Sequence, residues 1–366
     1  MDSLKRFHYL MDRRSDKLDR ILIDYWAVAE IDTRLCNYYK LTSKESLLDF
    51  LDIDFRYING PKFIGPNLTT HSDGSEDDIW GVPRKKVYYG QGEHRGFYKT
   101  VVKNPLANAN SIDDVESYKH WPDPDWLDYS IIEKQCDLIH KKKRIVMFMG
   151  DRLNRIAQLK PMIYLRGMEK ALSDLARKNS TIFDTVLEKI ITYYKEYLER
   201  ILRAAKGKID VIVTGDDFGQ QHGLLCSPDT WREKLLPGFR EFIQIAKKYN
   251  VYVMHHTCGS VSPIIPDMIR AGLDILNPIQ PGTKNMNHSM LKEKWGDNLI
   301  FHGGVSLQGP LRFGSPAEIG KEIKTCCEVL GKKGGYIICS AHNLNPDMKT
   351  ENIVALFNSY NRYCPY

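Results

Sequence analysis

Eight short, apolar, β-prone runs recur along this chain, and stretches with a helical apolar pattern lie between them. The runs are residues 21–26, 53–58, 145–150, 211–216, 251–256, 273–279, 299–303 and 335–340. Strands that alternate with helices form parallel βαβ units, and eight such units close into a barrel. The sequence therefore predicts the α/β class and, within it, a (β/α)8 TIM barrel.

Some of the intervening helices carry clear signals. Residues 180–206 show a long apolar repeat with the period of an α-helix. Ser227-Pro228 and Ser315-Pro316 each place a serine N-cap before a proline at the first helical position. Glu318 stands where a capping box needs an acidic side chain. These patterns predict three helices of the barrel's outer layer.

Residues 59–143 break the rhythm, because they are rich in Gly, Pro, Asp and Trp. A chain of 366 residues is long enough for one large barrel or for two ordinary domains. We interpret 59–143 as a lid or side wall inserted into a single barrel domain that spans residues 1–366. The barrel would thus carry an elaboration in its N-terminal part.

The composition argues against several classes of protein. No apolar run reaches the roughly 18 residues that span a bilayer, and the first residues lack the apolar core of a signal peptide. The formal net charge is +6, and the basic run at 141–144 is typical of a solvated helix end. We therefore expect a cytoplasmic monomer or homodimer with eight reduced cysteines, which binds neither membranes nor nucleic acid.

One strand ends in a His-x-Cys pair, His256 and Cys258. The carboxyl ends of all barrel strands meet at one mouth, so the last strand brings two further candidates to this pair, Cys339 and His342. Each residue alone is more often structural than functional, but their convergence predicts a metal site. Mixed imidazole and thiolate ligands favour Zn²⁺ and exclude Mg²⁺ or Ca²⁺. The third ligand is either His342 or Cys339.

The other strand ends supply candidates for substrate contacts. Asp216 and Asp217 could provide a fourth ligand, orient a substrate or simply cap the following turn. The remaining candidates for substrate contacts are Tyr25, Trp26, Phe218, Gln280 and His302, and the third strand ends at Met149-Gly150-Asp151. The three aromatic side chains among them would line the mouth. His255 should point away from it and be structural, because neighbouring side chains on a strand alternate.

Several motifs together are specific for one superfamily. They are Asp78-Ile79-Trp80-Gly81, Trp121-Pro122-Asp123-Pro124, Gly215-Asp216-Asp217-Phe218-Gly219, His256-Thr257-Cys258-Gly259, Gly272-Leu273-Asp274-Ile275-Leu276-Asn277-Pro278, Phe301-His302-Gly303-Gly304 and Glu351-Asn352-Ile353. Over nearly its whole length the chain resembles the uroporphyrinogen decarboxylase superfamily, and more closely its corrinoid-dependent methyltransferase branch. This resemblance implies a (β/α)8 barrel independently of the strand count.

The resemblance also implies a ligand set. In the branch similar to methylcobalamin:coenzyme M methyltransferases, zinc is held by a His-x-Cys and by a later cysteine. The first two ligands correspond to His256 and Cys258. The position of the later cysteine falls on His342, and Cys339 lies three residues before it, so His342 is favoured. A neutral imidazole in place of a thiolate makes the metal more electrophilic, which suits activation of a methyl donor.

Two departures bear on the substrate. Where many relatives read Gly-Gly-Ile-Asp, this chain reads Gly303-Gly304-Val305-Ser306. Uroporphyrinogen decarboxylases carry an arginine-rich first strand end that binds the propionates of the substrate, whereas this chain has Asp24-Tyr25-Trp26 there. An acidic and aromatic mouth is a poor site for a polyanion.

The leading hypothesis is a zinc-dependent methyltransferase that moves a methyl group between a small donor and the cobalt of a separate corrinoid protein. The donor could be a methoxylated aromatic compound, which would make the reaction an O-demethylation. The alternative is a decarboxylase of a uroporphyrinogen-type tetrapyrrole, with Asp216 or Asp217 on the pyrrole nitrogens. A non-catalytic corrinoid carrier is a third possibility, but the chain lacks an Asp-x-His-x-x-Gly cobalt-binding motif.

Overall fold

The fold is built on eight parallel strands, all of which coincide with the predicted runs. The computed structural model describes residues 1–150, 155–177 and 179–366, so Asp151, at the predicted end of the third strand, lies outside the described residues. The strands are β1 Leu22–Ile23, β2 Phe55–Tyr57, β3 Ile145–Phe148, β4 Val211–Gly215, β5 Tyr252–His256, β6 Ile275–Ile279, β7 Ile300–Val305 and β8 Tyr336–Ser340. They form one sheet in the order β1-β8-β7-β6-β5-β4-β3-β2. The predicted (β/α)8 barrel is confirmed.

One side chain closes the seam between β1 and β2. The backbone N–H of Ile23 donates to Oδ2 of Asp54 at 2.8 Å, and the backbone N–H of Asp54 donates to the carbonyl of Ile23 at 3.0 Å. The carboxylate thus stands in for a strand partner. It also accepts from Ser3, Arg6 and Arg20 at 2.7 Å each.

The helices surround the sheet. They are α1 Ser3–Met11, α2 Ala29–Tyr39, α3 Lys44–Phe50, α4 Ile112–Glu116, α5 Ile132–His140, α6 Leu159–Arg166, α7 Met168–Ala176, α8 Thr181–Ala205, α9 Pro228–Lys234, α10 Leu236–Lys248, α11 Ile265–Arg270, α12 His288–Trp295, α13 Pro310–Phe313, α14 Pro316–Leu330 and α15 Thr350–Tyr363. The three predicted helices are present as α8, α9 and α14. Ser227 caps α9, and Ser315 forms a capping box with Glu318 on α14. Among the described residues, none of these helices has both the length and the apolar character that crossing a membrane requires.

Alternating side chains divide the apolar residues into two cores. On β1 and the residues after it, Leu22 and Trp26 point into the barrel, whereas Ile23 and Tyr25 point out towards the helices. Helix α1 closes the amino end of the barrel, where Phe7 packs edge-on against the rings of Phe55 and Tyr252. The amino end of the barrel interior is therefore filled, and only the carboxyl ends of the strands are left for a site.

The inserted segment forms a side wall. It contains a three-stranded antiparallel sheet of Glu76–Asp77, Pro83–Tyr89 and Gly96–Val101, and a two-stranded one of Lys62–Phe63 and Leu127–Asp128. Helix α5, at its carboxyl end, packs against β3 and α8 as a helix of the barrel itself. The elaboration therefore ends near residue 131 and is shorter than the predicted 59–143.

The side wall is anchored near the mouth at two places. A buried ion pair joins Arg84 to Asp78 at 2.6 Å, and the guanidinium of Arg84 lies 4.3 Å from the ring centre of Tyr164 on α6. At the other end, Nδ1 of His94 contacts the carbonyl of Pro346 at 2.7 Å, in the loop after β8.

Candidate metal centre

Three predicted ligands converge at the mouth of the barrel. His256 is the last residue of β5 and points inward, and Cys258 follows two residues later. The Nε2 atom of His256 lies 3.6 Å from Sγ of Cys258. One ring nitrogen of His342, in the loop after β8, completes a group whose ligand atoms all lie within 4.8 Å of one another. Burial falls across the group, since His256 is buried, Cys258 half-buried and His342 exposed.

The protonation states of the two strand-end residues are set by their surroundings. Burial, together with the charges of Arg155 and Lys160, holds the pKa of His256 well below its usual value, so the ring is neutral at neutral pH. Burial and the negative charge of Asp217 raise the pKa of the Cys258 thiol to about 12. The site is therefore a neutral imidazole beside a protonated thiol, and binding of a cation by the sulfur would release the thiol proton.

His342 is held less firmly than His256. The backbone N–H of Asn343 donates to Nδ1 of His342 at 2.8 Å, which puts the proton of the neutral ring on Nε2. The planes of the two imidazole rings are inclined at 67°, with their centres 5.9 Å apart. To bind a metal, His342 must exchange its contact with Asn343 or turn its ring, whereas His256 already presents Nε2.

Cys339 lies one layer deeper than His342. It is the fourth residue of β8, is fully buried and belongs to the interior core. Its sulfur is close to Asp24 and His302, in a second group separate from the His-x-Cys pair. Of the two candidates for the third ligand, the geometry therefore favours His342.

The two predicted carboxylates have different environments. Asp217 lies at the site: its Oδ1 is 3.8 Å from Nε2 of His256 and accepts the backbone N–H of Cys258 at 3.1 Å. Its Oδ2 is paired with Nζ of Lys160 at 2.9 Å. Burial is the largest single influence and opposes ionisation, but the charge and hydrogen bond of Lys160, together with His256 and the backbone N–H of Cys258, outweigh it and hold the pKa of Asp217 well below the usual range.

Asp216 turns away from the site and caps a helix. Its carboxylate accepts the backbone N–H groups of Gln158, Leu159 and Lys160 at the start of α6, at 2.5 to 3.0 Å. Because burial raises its pKa to about 6, a substantial part of the protein carries a proton on Asp216 at that pH. The predicted catalytic role of Asp216 is replaced by a structural one, as the capping alternative allowed.

Of the three predicted aromatic contacts, only Trp26 lines the mouth. Its ring centre lies 5.4 Å from that of His256. Tyr25 points outward, where its ring stacks on Phe357 and its hydroxyl donates to Asp32 at 2.7 Å. Phe218 is also buried in the outer core, against Trp231 and other rings. The assignments of Tyr25 and Phe218 as substrate contacts are wrong, because both side chains lie on the helix-facing side.

The polar candidates also lie in different environments. Gln280 borders a cavity at the mouth, and its Oε1 accepts the backbone N–H of Gly259 at 2.8 Å. His302 lies below the mouth, buried and hydrogen-bonded to Asp24 and Asn277, so its prediction as a substrate contact is wrong. His255 is structural, as expected: its ring stacks on Phe218 in the outer core.

Two cavities meet at His342. The smaller, of about 170 Å³, is lined by aromatic rings and by cationic groups, and its wall includes Trp26, Tyr164, Lys160 and His256. The larger, of about 320 Å³, borders Cys258 on the other side. It is lined by Gln280, Ser306, Gln308, Arg312, Asn345 and Met348 among others. The ligand group therefore borders two chambers that share His342.

Comparison with known proteins identifies the family. A family model described as uroporphyrinogen decarboxylase (URO-D) matches residues 101–363, which is more than half of the chain. This chain belongs to the uroporphyrinogen decarboxylase family. The resemblance in the sequence motifs is thereby confirmed. No curated protein matches the sequence of this family member.

A solved structure agrees with this assignment at the level of the fold. A methyltransferase from Methanosarcina mazei is similar over 99% of this chain and 99% of that chain, with 16% sequence identity and a TM-score of 0.64. At this identity the likeness shows the fold alone. A 3-dehydroquinate dehydratase from Geobacillus kaustophilus HTA426 matches with 9% identity over 63% of this chain and 86% of that chain. Its TM-score is 0.27.

Four residues at or below the site of this uroporphyrinogen decarboxylase family member were missed by sequence reasoning. Arg155 and Lys160 follow the third strand, and no motif marks them. Tyr57 ends β2 and contacts Asp24 and Trp26 inside the barrel. Asn277 was visible as the polar residue at the end of the sixth run, and its place in an apolar strand was the signal that could have found it.

Proposed function

We propose that this protein is a zinc-dependent methyltransferase that moves a methyl group between a small donor and the cobalt of a corrinoid held by a separate protein. The observation that carries the proposal is the separation of 3.6 Å between Nε2 of His256 and Sγ of Cys258. Bonds of about 2.1 Å to nitrogen and about 2.3 Å to sulfur put two ligands of a tetrahedral zinc ion about 3.6 Å apart. With His342 as a third ligand, the set is that of a catalytic site with one open position.

Zinc bound there would supply Lewis-acid chemistry, drawing charge from the oxygen or sulfur that the methyl group leaves. The residues around it have separate tasks. Asp217 holds the backbone of Cys258, and Lys160 neutralises Asp217. Trp26 excludes water from one side of His256. In the transfer, the bond from methyl carbon to donor oxygen breaks, and a bond from carbon to reduced cobalt forms.

The two chambers fit two reactants. We assign the small chamber of aromatic and charged groups to the methyl donor, because Trp26 and Tyr164 offer flat apolar walls, while Arg155 and Lys160 together exceed the negative charge of Asp217 by one. A methoxylated aromatic acid has both features that such a chamber would bind. We assign the larger chamber to the corrinoid side, since Cys258 and His342 border it.

The name of the structural neighbour from Methanosarcina mazei, a methyltransferase, agrees with this proposal. The family name raises decarboxylation as the second candidate. Against it, Asp216 is occupied by three backbone N–H groups, so it is not available to pyrrole nitrogens. The first strand end offers no arginine for a polyanionic substrate.

The test is metal analysis combined with a spectral assay of cobalamin over a panel of methoxylated and methylthio compounds. We expect about one zinc per chain and a change of the cobalt spectrum with at least one donor. His256→Ala should lose both, whereas Thr214→Val, on the neighbouring strand, should keep both. A protein without zinc, whose His256→Ala variant still transferred methyl groups, would refute the proposal. Release of carbon dioxide from uroporphyrinogen would favour the second candidate.

A further inference from the structure

A chain of buried hydrogen bonds runs from the metal-facing histidine into the barrel. Nδ1 of His256 contacts Oδ1 of Asn277 at 2.6 Å, and Nδ2 of the same amide contacts Nδ1 of His302 at 2.6 Å. Nε2 of His302 then reaches Oδ2 of Asp24 at 2.9 Å. All four residues are at least 97% buried, so water does not compete for these contacts.

Two further side chains end the chain at Asp24. The hydroxyl of Tyr57 donates to Oδ2 of Asp24 at 2.6 Å, and the indole Nε1 of Trp26 lies 2.7 Å from the same hydroxyl and 3.1 Å from the carboxylate. The backbone N–H of Tyr25 occupies the other carboxylate oxygen at 2.7 Å.

Two groups fix the bond directions in this chain: the indole N–H of Trp26, which can only donate, and the ionised carboxylate of Asp24, which can only accept. The indole N–H of Trp26 has no acceptor atom, so the hydroxyl oxygen of Tyr57 accepts and its proton goes to Asp24. The carboxylate, which already accepts from Tyr57 and from a backbone N–H, accepts again from Nε2–H of His302.

The directions of the two bonds from His302 through Asn277 to His256 follow in the same way. With its proton on Nε2, His302 accepts at Nδ1 from the amide N–H of Asn277. The amide oxygen of Asn277 then accepts from Nδ1–H of His256. The lone pair of His256 is therefore on Nε2, the atom that faces Cys258.

We infer that Asn277, His302 and Asp24 are positioning residues that fix the tautomer and the ring orientation of His256 for metal binding. The inference rests on the proposed zinc site and adds the residues that prepare it. Asn277 is doubly suited to this role, because its backbone carbonyl also accepts the N–H of Thr257 at 2.7 Å, between the two strand-end ligands. Partners of this kind typically change metal affinity by about 10- to 100-fold.

The first test needs no metal and no activity. In metal-free protein with ¹⁵N-labelled histidine, long-range ¹H–¹⁵N correlation spectra report which ring nitrogen carries the proton. The resonances are assigned by their loss in His256→Gln and His302→Gln. We expect the proton of His256 on Nδ1 and that of His302 on Nε2. The opposite tautomer at either ring would overturn the inference.

The second test compares two changes at one position. Asn277→Leu removes both side-chain contacts and should weaken zinc binding by about 10- to 100-fold in competition with a chelating dye. Asn277→Asp still accepts from Nδ1–H of His256 but can no longer donate to Nδ1 of His302, so its zinc affinity should lie between those of the wild type and Asn277→Leu. Thr214→Val is the matched control, since it removes the 2.8 Å contact to His255 on the outer side of β5 and should leave zinc affinity unchanged.

Different results would refute the proposed methyltransferase function and the inferred role of the hydrogen-bond chain. Equal zinc affinity of the wild type and of folded Asn277→Leu would overturn the role of the chain while leaving the methyltransferase proposal intact. If the wild type bound no zinc, the proposed function would fall, and the tautomers seen by NMR would still decide whether the chain has the inferred direction.

Discussion

The two histidines of the site differ in how their rings are held. His256 is locked by a 2.6 Å contact to Asn277 in the barrel interior, whereas His342 sits on an exposed loop and receives an N–H from its own neighbour, Asn343. A fixed ligand and an adaptable one therefore stand side by side. We expect the adaptable ligand to be the one that adjusts when a reactant takes the open position.

Removal of each candidate for the third ligand in turn tests which of the two binds zinc. His342→Ala should lower zinc affinity by more than about 100-fold, because loss of a direct ligand costs more than loss of a supporting contact. Cys339→Ala should keep the affinity of the wild type, since its sulfur lies with Asp24 and His302. Titration of zinc against a chelating dye measures both. Loss of zinc in Cys339→Ala with retention in His342→Ala would reverse the assignment.

Residue types at strand ends predicted that His256 and Cys258 lie together at the mouth, but they did not predict which aromatic side chains line it. His256 and Cys258 were marked by their spacing, which is a local property of the sequence. The orientations of Tyr25 and Phe218 had no such local signal, because the direction of a side chain after a strand depends on where alternation places it. Both side chains face the helices. Asn277 escaped because its role lies in contacts with residues distant in sequence.

At the scale of elements, one carboxylate stabilises the start of helix α6. Asp216→Ala leaves three backbone N–H groups without their acceptor. We expect the free energy of unfolding to fall by about 2 kcal/mol, as for loss of a strong N-cap, with zinc content unchanged. Urea denaturation and metal analysis measure the two quantities. Asp216→Asn, which keeps one oxygen, should lie between; loss of zinc in folded Asp216→Ala would show that the carboxylate acts in the site.

Helix α12 contains a half-buried histidine that should make the protein sensitive to acid. Burial lowers the pKa of His288 to about 4, against about 6.5 in the unfolded chain. The folded state thus binds the proton less readily, so its contribution to stability is complete above pH 6.5 and is lost as the pH falls towards 4.

His288→Leu should remove this loss. Between pH 7 and pH 4.5, the free energy of unfolding of the variant should fall by about 2 kcal/mol less than that of the wild type. Urea denaturation at the two pH values gives the difference. His71→Leu, at an exposed position, serves as a control for removal of a histidine. Parallel pH profiles for wild type and His288→Leu would contradict the expectation.

The barrel elements could be read from the sequence because each strand and helix carries its own period. The side wall could not, since its short strands pair with one another at Pro83–Tyr89 and Gly96–Val101, and their exposed positions carry a mixture of aromatic and basic residues. Only its composition marked it, and composition gives no boundary. That is why the barrel helix α5 was included in it.

At the scale of the whole molecule, Asp54 fastens the first strand to the second and the closing helix α1 to both. It is fully buried, and Arg6 and Arg20 donate to it. Asp54→Ala leaves two largely buried guanidinium groups without this partner, which should cost about 3–5 kcal/mol of unfolding free energy.

A neighbouring carboxylate provides the control for that prediction. Asp52 pairs with Arg20 from the exposed side at 2.8 Å, so Asp52→Ala should cost less than about 1 kcal/mol. Thermal or urea denaturation compares the two variants. Equal stabilities for Asp54→Ala and Asp52→Ala would show that the seam is held by the strands alone.

The placement of the ligand group between two chambers also has a consequence for inhibition. With the proposed assignment of the chambers, a compound that fills the chamber beside Trp26 and Lys160 would block one reactant while the chamber beside Gln280 and Arg312 stays accessible to the other. Such a compound would compete with the first reactant and act non-competitively towards the second. A molecule long enough to reach past His342 into both chambers would compete with both at once.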